Sequence, residues 1–179
     1  MGTVPVTINC WEIECCGEPF SVGDRVTWRL TWAPEAKLPD ELFVTLDATV
    51  ETVPVTNLPR GDQPAVRRYQ RFVRAGQIQA TWSGSGSLSG HMTLRGVLLA
   101  TWHGGGLEPT SPSVSGFVHR IRTLRQRMQI SAGRPRRREA LVAGSELIDM
   151  PDCPHTFDDF GDRADSGVVV DLKVVAPPV

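Results

Sequence analysis

Two adjacent cysteines, Cys15 and Cys16, are the residues of this sequence with the most evident chemical reactivity. Cysteine sulfur binds zinc and acts as a nucleophile once it is deprotonated. Structural zinc sites usually separate paired cysteines by two to four residues, so an adjacent pair needs ligands from elsewhere in the chain. Cys153 and His155 carry suitable sulfur and nitrogen atoms. The first hypothesis is therefore a zinc site at Cys15, Cys16, Cys153 and His155, or a small metal- or thiol-dependent enzyme centred on Cys15 and Cys16.

The alternative is that the cysteines pack as small hydrophobic residues, in which case no cofactor is expected. The N-terminal residues lack the basic and apolar regions of a signal peptide. No apolar run reaches the roughly 20 residues that a membrane-spanning helix needs. We therefore expect a cytoplasmic protein that does not contact membranes and whose thiols are reduced.

A second chemical feature is a concentration of arginine between residues 120 and 138. Its members are Arg120, Arg122, Arg134, Arg136, Arg137 and Arg138. Guanidinium groups bind phosphate in a bidentate manner, and exposed tryptophans such as Trp28 and Trp102 stack on bases, as in single-strand and RNA-binding surfaces. The alternative is that these arginines pair with the acidic loop at residues 151–166. The net charge of −1 favours that internal pairing, or an acidic protein partner.

Motifs for nucleophilic catalysis and phosphate binding are missing from the glycine-rich part of the sequence. Residues 83–90 read Ser-Gly-Ser-Gly-Ser-Leu-Ser-Gly. They contain neither the Gly-x-Ser-x-Gly nucleophile elbow nor the Gly-Lys-Ser/Thr ending of a phosphate-binding loop. Their composition is typical of a flexible connector. We therefore expect no catalytic residues in this segment.

The elements that must position these residues are predicted to be β-strands. In residues 24–32 the side chains of Val26, Trp28, Leu30 and Trp32 alternate with polar ones, which is the pattern of a half-buried strand. Further strands are predicted at residues 3–14, 42–53, 65–82, 91–102, 113–130 and 167–175. The 17 glycines and 14 prolines favour many turns between short elements.

Many short strands separated by turns predict a mostly β fold, namely an antiparallel, partly open barrel of the SH3-like or OB-like kind. One short helix is predicted near residues 139–149. A chain of 179 residues is expected to form one β-rich domain over residues 1–179. If it is divided, residues 83–90 are the place where two smaller units would join.

Residues 11–24 form the pattern Trp-x-x-x-Cys-Cys-Gly-x-Pro-Phe-x-Val-Gly-Asp. In this pattern the opening of the chain resembles that of an uncharacterised bacterial family of unknown function. The segment 115–122 is similar to the Gly-x-Val-x-x-Ile strand of that family, and residues 167–172 look like its last strand. The resemblance implies a compact β fold, and it carries no function that can be transferred.

These observations favour a non-enzymatic binding or adaptor module that recognises a protein partner. Tryptophan and arginine are enriched at protein interfaces, and the sequence contains no coherent set of catalytic acid, base and nucleophile. One alternative is a nucleic-acid-associated regulator that uses the arginines of residues 120–138. The other is the metal- or thiol-dependent enzyme at Cys15 and Cys16.

Overall fold

The structure is a computed structural model that describes residues 2–56, 67–102, 113–131 and 134–176. Within those ranges it contains nine strands, one α-helix and one turn of 3-10 helix. In chain order the elements are β1 (Val4–Asn9), α1 (Cys10–Cys16), β2 (Arg25–Ala33), the 3-10 turn (Asp40–Leu42), β3 (Val44–Thr56), β4 (Arg67–Ala75), β5 (Ile78–Trp82), β6 (Gly90–Thr101), β7 (Ser113–Ser131), β8 (Arg134–Met150) and β9 (Arg163–Val175). The helix is far too short and polar to cross a membrane.

The described strands form one sheet in the order β2-β5-β4-β3-β6-β1-β9-β7-β8. An additional pairing between β2 and β7 closes eight of these strands into a barrel. Strand β8 lies outside the ring and, among the described residues, pairs with β7 alone. The prediction of a mostly β barrel with one short helix is confirmed, and the barrel is closed where the sequence predicted a partly open one.

Strand β2 pairs with three other strands of the barrel. Residues 25–29 pair with β7, residues 29–33 pair with β6, and residues 30–32 also pair with β5. Trp28, Leu30 and Trp32 are buried in the core, as the alternation of the sequence predicts. Burial of each such large side chain contributes about 2 to 3 kcal/mol, so β2 is a centre of stability as well as of topology.

The first strand is paired with the last one described. Strand β1 runs antiparallel to β9, from Val4 opposite Leu172 to Asn9 opposite Gly167. The other edge of β1 pairs in parallel with residues 98–100 of β6. Val6, Ile8, Val168 and Val170 are fully buried, which explains why both segments are so rich in β-branched residues.

The helix is not where the sequence predicts it. Residues 139–149 belong to β8, whereas α1 occupies residues that were expected to continue the first strand. Glu12 and Ile13 are both buried. Consecutive residues can both face inward on a helix but point to opposite faces of a strand. A helix of seven residues is too short to be stable alone, so contacts such as that of Ile13 with the core hold it in place.

Two further segments differ from their sequence-based interpretation. The strand expected over residues 65–82 is a hairpin, because Gly76 has a φ of 59° and turns β4 into β5. The segment 83–90 is a loop fixed by hydrogen bonds rather than a free connector. The indole N–H of Trp82 donates to the Gly84 carbonyl over 2.8 Å, and the Ser83 hydroxyl donates to the Trp32 carbonyl over 2.9 Å.

Candidate functional site: an aromatic pocket lined by carboxylates

The four residues predicted to bind zinc lie in different settings. Cys15 and Cys16 are exposed at the end of α1, whereas Cys153 is buried and its amide donates to the Phe20 carbonyl over 2.9 Å. His155 is exposed in the loop that follows β8. In the described ranges, no three His, Cys, Asp or Glu side chains are grouped closely enough to hold a metal ion. The zinc site therefore stays a prediction.

Three of the arginines predicted to bind a partner, Arg120, Arg122 and Arg138, are engaged within the molecule. Arg120 donates to both carboxylate oxygens of Asp149 over 2.5 and 2.8 Å. Arg122 lies 2.5 Å from the carboxylate of Asp171. Held in this way, both guanidinium groups face carboxylates instead of presenting all their donors to an external phosphate.

Arg138 connects the arginine-rich segment to the acidic loop. It lies 2.5 Å from the carboxylate of Asp159 and donates to the Gly161 carbonyl. The alternative in which the arginines pair with the acidic loop is thus confirmed for this residue. Arg134, Arg136 and Arg137 belong to β8, but their side chains lie outside what the structure describes.

The two tryptophans predicted to bind a partner meet at a pocket of about 340 Å³. Its aromatic residues are Phe20, Trp28 and Trp102. Its charged residues are Glu18, Asp24 and Arg25, and the remaining wall is made by Pro19, Val26 and Thr27. The pocket therefore combines aromatic surface with an excess of one negative charge.

The three rings form an edge-to-face cluster. The centroids of Phe20 and Trp28 are 5.3 Å apart with an interplanar angle of 66°, and those of Trp28 and Trp102 are 6.1 Å apart at 70°. This arrangement places the positive edge of one ring against the negative face of the next. Phe20 and Trp28 are buried, whereas Trp102 is half-buried. Trp102 is consequently the ring with most surface left for a ligand.

A buried carboxylate on α1 fixes the position of Trp102. Only 3% of Glu12 is exposed. One of its oxygens accepts from the Thr101 hydroxyl over 2.5 Å, and the other accepts from the Trp102 amide over 2.9 Å. Glu12 was not recognisable as a site residue from the sequence, because a glutamate beside Trp11 in an expected strand gives no signal of burial. Helix α1 thus acts as the support of one wall of the pocket.

The turn that leads into β2 shapes the other wall. The amide of Ser21 donates to the Asp24 carboxylate over 2.8 Å, and Gly23 has a φ of 97°, a conformation that favours glycine. Gly23 and Asp24 exchange backbone hydrogen bonds with Val118 of β7 over 2.8 and 2.9 Å. The Val-Gly-Asp sequence is therefore a fixed turn, with Asp24 acting in part as its side-chain cap.

Glycine is also required where α1 ends. A Cβ atom at Gly17 would lie only 2.7 Å from the Cα of Ile13. The amide of Gly17 donates to the Ile13 carbonyl over 3.0 Å, which closes the last turn of the helix. The pattern from Trp11 to Trp28 is thus explained by three structural tasks, which are ending α1, making the turn and assembling the ring cluster.

The reactivity of the cysteines should differ according to burial. Burial raises the pKa of the Cys153 thiol to about 12, so only about one molecule in ten thousand carries the thiolate there at pH 8. Because the thiolate is the nucleophile, iodoacetamide at pH 8 is expected to leave Cys153 unmodified while it labels Cys15. Peptide mass spectrometry after timed quenching measures the labelling rate of each cysteine. In guanidinium chloride all four cysteines should be labelled, and equal native rates at Cys153 and Cys15 would contradict the burial argument.

Comparison with known protein families identifies the family of this chain. Residues 2–174 match the model of a family described as a family of unknown function (DUF6578). No curated protein and no solved structure matches the chain.

Proposed function

The chain belongs to this family of unknown function, and from its pocket we propose that it is a non-enzymatic binding module for a protein partner that presents a basic side chain. The observation that carries the proposal is the convergence of Trp28 and Trp102 with Glu18 in one open pocket. Aromatic faces and carboxylates together attract cations such as lysine and arginine side chains.

The charges around the pocket support a basic partner. Glu18 and Asp24 line it and are both exposed, and the only basic residue among its lining residues is Arg25. A third exposed carboxylate is that of Asp152, which forms a β-bridge with Ser21 beside the pocket. Complementary charge of this kind speeds encounter and selects partners more than it adds affinity.

The pairing of the arginines argues for this function over nucleic-acid binding. Phosphate contacts would have to displace Asp149 from Arg120 and Asp171 from Arg122. A basic side chain that enters the pocket has to break neither of those ion pairs. A cytoplasmic location, in which thiols stay reduced, is part of this proposal.

The test is a titration with the capped tripeptides Gly-Lys-Gly, Gly-Arg-Gly and Gly-Glu-Gly, followed by amide and indole chemical shifts. We expect saturable shifts of the Trp102 indole with the lysine or arginine peptide and none with the glutamate peptide. Glu18→Gln should weaken binding about fivefold, as expected for loss of one exposed ion pair. Trp102→Leu should weaken it about tenfold because a cation–π contact is lost.

Glu41→Gln is the matched control, since Glu41 is an exposed carboxylate outside the pocket and should leave the affinity unchanged. Equal shifts with all three peptides, or none with any of them, would refute the proposal. A salt-sensitive affinity for single-stranded RNA that does not depend on Trp102 would favour the nucleic-acid alternative instead.

A further inference from the structure

The adjacent thiols at the end of α1 face one another. Cys16 donates to the sulfur of Cys15, and the two sulfur atoms are 3.4 Å apart. A disulfide would bring them to about 2.05 Å, so these are two separate thiols in contact. Both side chains are exposed. A small reagent can therefore reach the two sulfur atoms at once.

A disulfide is a poor product for this pair. Disulfides usually join residues whose Cα atoms are about 4.4 to 6.8 Å apart, whereas adjacent residues joined by a trans peptide bond are about 3.8 Å apart. No peptide bond in the described chain is cis. A bond between neighbours would be strained and easily reduced. The dithiol is thus the form that the end of α1 favours.

The separation of the two sulfur atoms suits a bound atom whose two bonds to sulfur form nearly a right angle. With bonds of about 2.3 Å from sulfur to the central atom, a separation of 3.4 Å corresponds to an angle of about 95° at that atom. This is smaller than the tetrahedral angle of structural zinc, which also needs two more ligands. Trivalent arsenic is a soft, pyramidal centre with bond angles close to a right angle, and it needs only two thiols when its third position is occupied.

We propose that Cys15 and Cys16 form a chelating site for trivalent arsenic, of the type presented by an organic arsonous acid, R–As(OH)2. In the reaction, each thiol gives its proton to a hydroxyl of the reagent. Two arsenic–sulfur bonds form, two arsenic–oxygen bonds break and two waters leave, and arsenic remains trivalent. No oxidant or reductant is required. The site does not depend on the proposed partner pocket and does not use Cys153 or His155.

The fixed end of α1 favours chelation over single attachment. Gly17 is held by its hydrogen bond to the Ile13 carbonyl and has no space for a side chain, so the backbone next to Cys16 is restrained. Once one sulfur has reacted, the other is held beside the same arsenic atom. This effective concentration raises affinity by a factor of about a hundred or more over a single thiol.

The test is a titration of the intact chain with phenylarsine oxide, read by native mass spectrometry. We expect one phenylarsenic unit per chain, with loss of two hydrogens, that is removed by ethanedithiol but not by a monothiol. Cys15→Ser and Cys16→Ser should each bind about a hundredfold more weakly or not at all. Cys10→Ser and Cys153→Ser, which keep the pair, should bind as the parent chain does.

Retention of full affinity in Cys16→Ser would overturn the proposal, and so would a requirement for Cys10 or Cys153. Stoichiometric zinc that depends on Cys153 and His155 would replace it with the four-ligand zinc site. Circular dichroism of each variant verifies that the fold is kept. This is expected for Cys15→Ser and Cys16→Ser, because both positions lie at an exposed helix end.

Discussion

Replacement of Arg122 by leucine is expected to lower the free energy of unfolding by about 3 kcal/mol. Arg122 of β7 and Asp171 of β9 are 2.5 Å apart, and their side chains are only 13% and 19% exposed. Loss of the guanidinium leaves the Asp171 carboxylate nearly buried and without its cation, which is the costly case for a buried ion pair. Urea unfolding followed by tryptophan fluorescence measures the change.

Two controls separate burial from charge. Arg120→Leu removes an arginine of the same strand whose pair with Asp149 is 50% and 64% exposed, and it should cost less than about 1 kcal/mol. The double variant Arg122→Leu/Asp171→Leu removes both charges and should recover most of the loss. Equal costs for Arg120→Leu and Arg122→Leu would show that the buried pair is not special.

Replacement of Glu12 by alanine is expected to cost about 3 kcal/mol and to loosen the wall of the pocket at Trp102. The carboxylate is buried and accepts hydrogen bonds from the Thr101 hydroxyl and the Trp102 amide. Bonds to a charged acceptor contribute about 1.5 to 3 kcal/mol, and the Trp102 amide would lose its acceptor. The readouts are urea unfolding and the hydrogen-exchange rate of the Trp102 amide.

The matched control is Glu14→Ala, on the same helix but exposed, which should change stability by less than about 0.5 kcal/mol. Glu12→Gln keeps one acceptor oxygen but turns an amide N–H₂ toward a donor. Its loss of stability should therefore lie between those of Glu14→Ala and Glu12→Ala. If amide exchange at Trp102 were as slow in Glu12→Ala as in the parent chain, α1 would not support the pocket.

The sequence predicts the strands well where period-2 burial extends over several residues. In β2 the large side chains of Trp28, Leu30 and Trp32 alternate with polar ones, and all three are buried as expected. The signal fails for α1, because seven residues make two turns, too few for a helical period to stand out. The sequence signal also fails for β8, where a helix was predicted near residues 139–149. Pairing with β7 overrides the local preference for a helix there.

The candidate site was only partly predictable for a related reason. Trp28 and Trp102 are recognisable as binding residues by type, but their meeting depends on the pairing of β2 with both β6 and β7. Likewise, the register of β7 places Arg122 opposite Asp149 of β8 and Arg120 opposite Asp171 of β9. The two ion pairs form along the diagonals, between Arg120 and Asp149 and between Arg122 and Asp171. Register between distant strands is a tertiary property, and one sequence does not display it.

The pairing of β1 with β9 also sets when the barrel can close as the protein is made. Val4 cannot pair with Leu172 until that residue has been synthesised, and a ribosome that adds about 5 to 20 residues per second needs roughly 8 to 34 seconds for the intervening chain. Until then β1 has only the three-residue register with β6 available to it. Its unpaired backbone edge stays open to other nascent chains for that time, so closure of the ring waits until Leu172 has been synthesised.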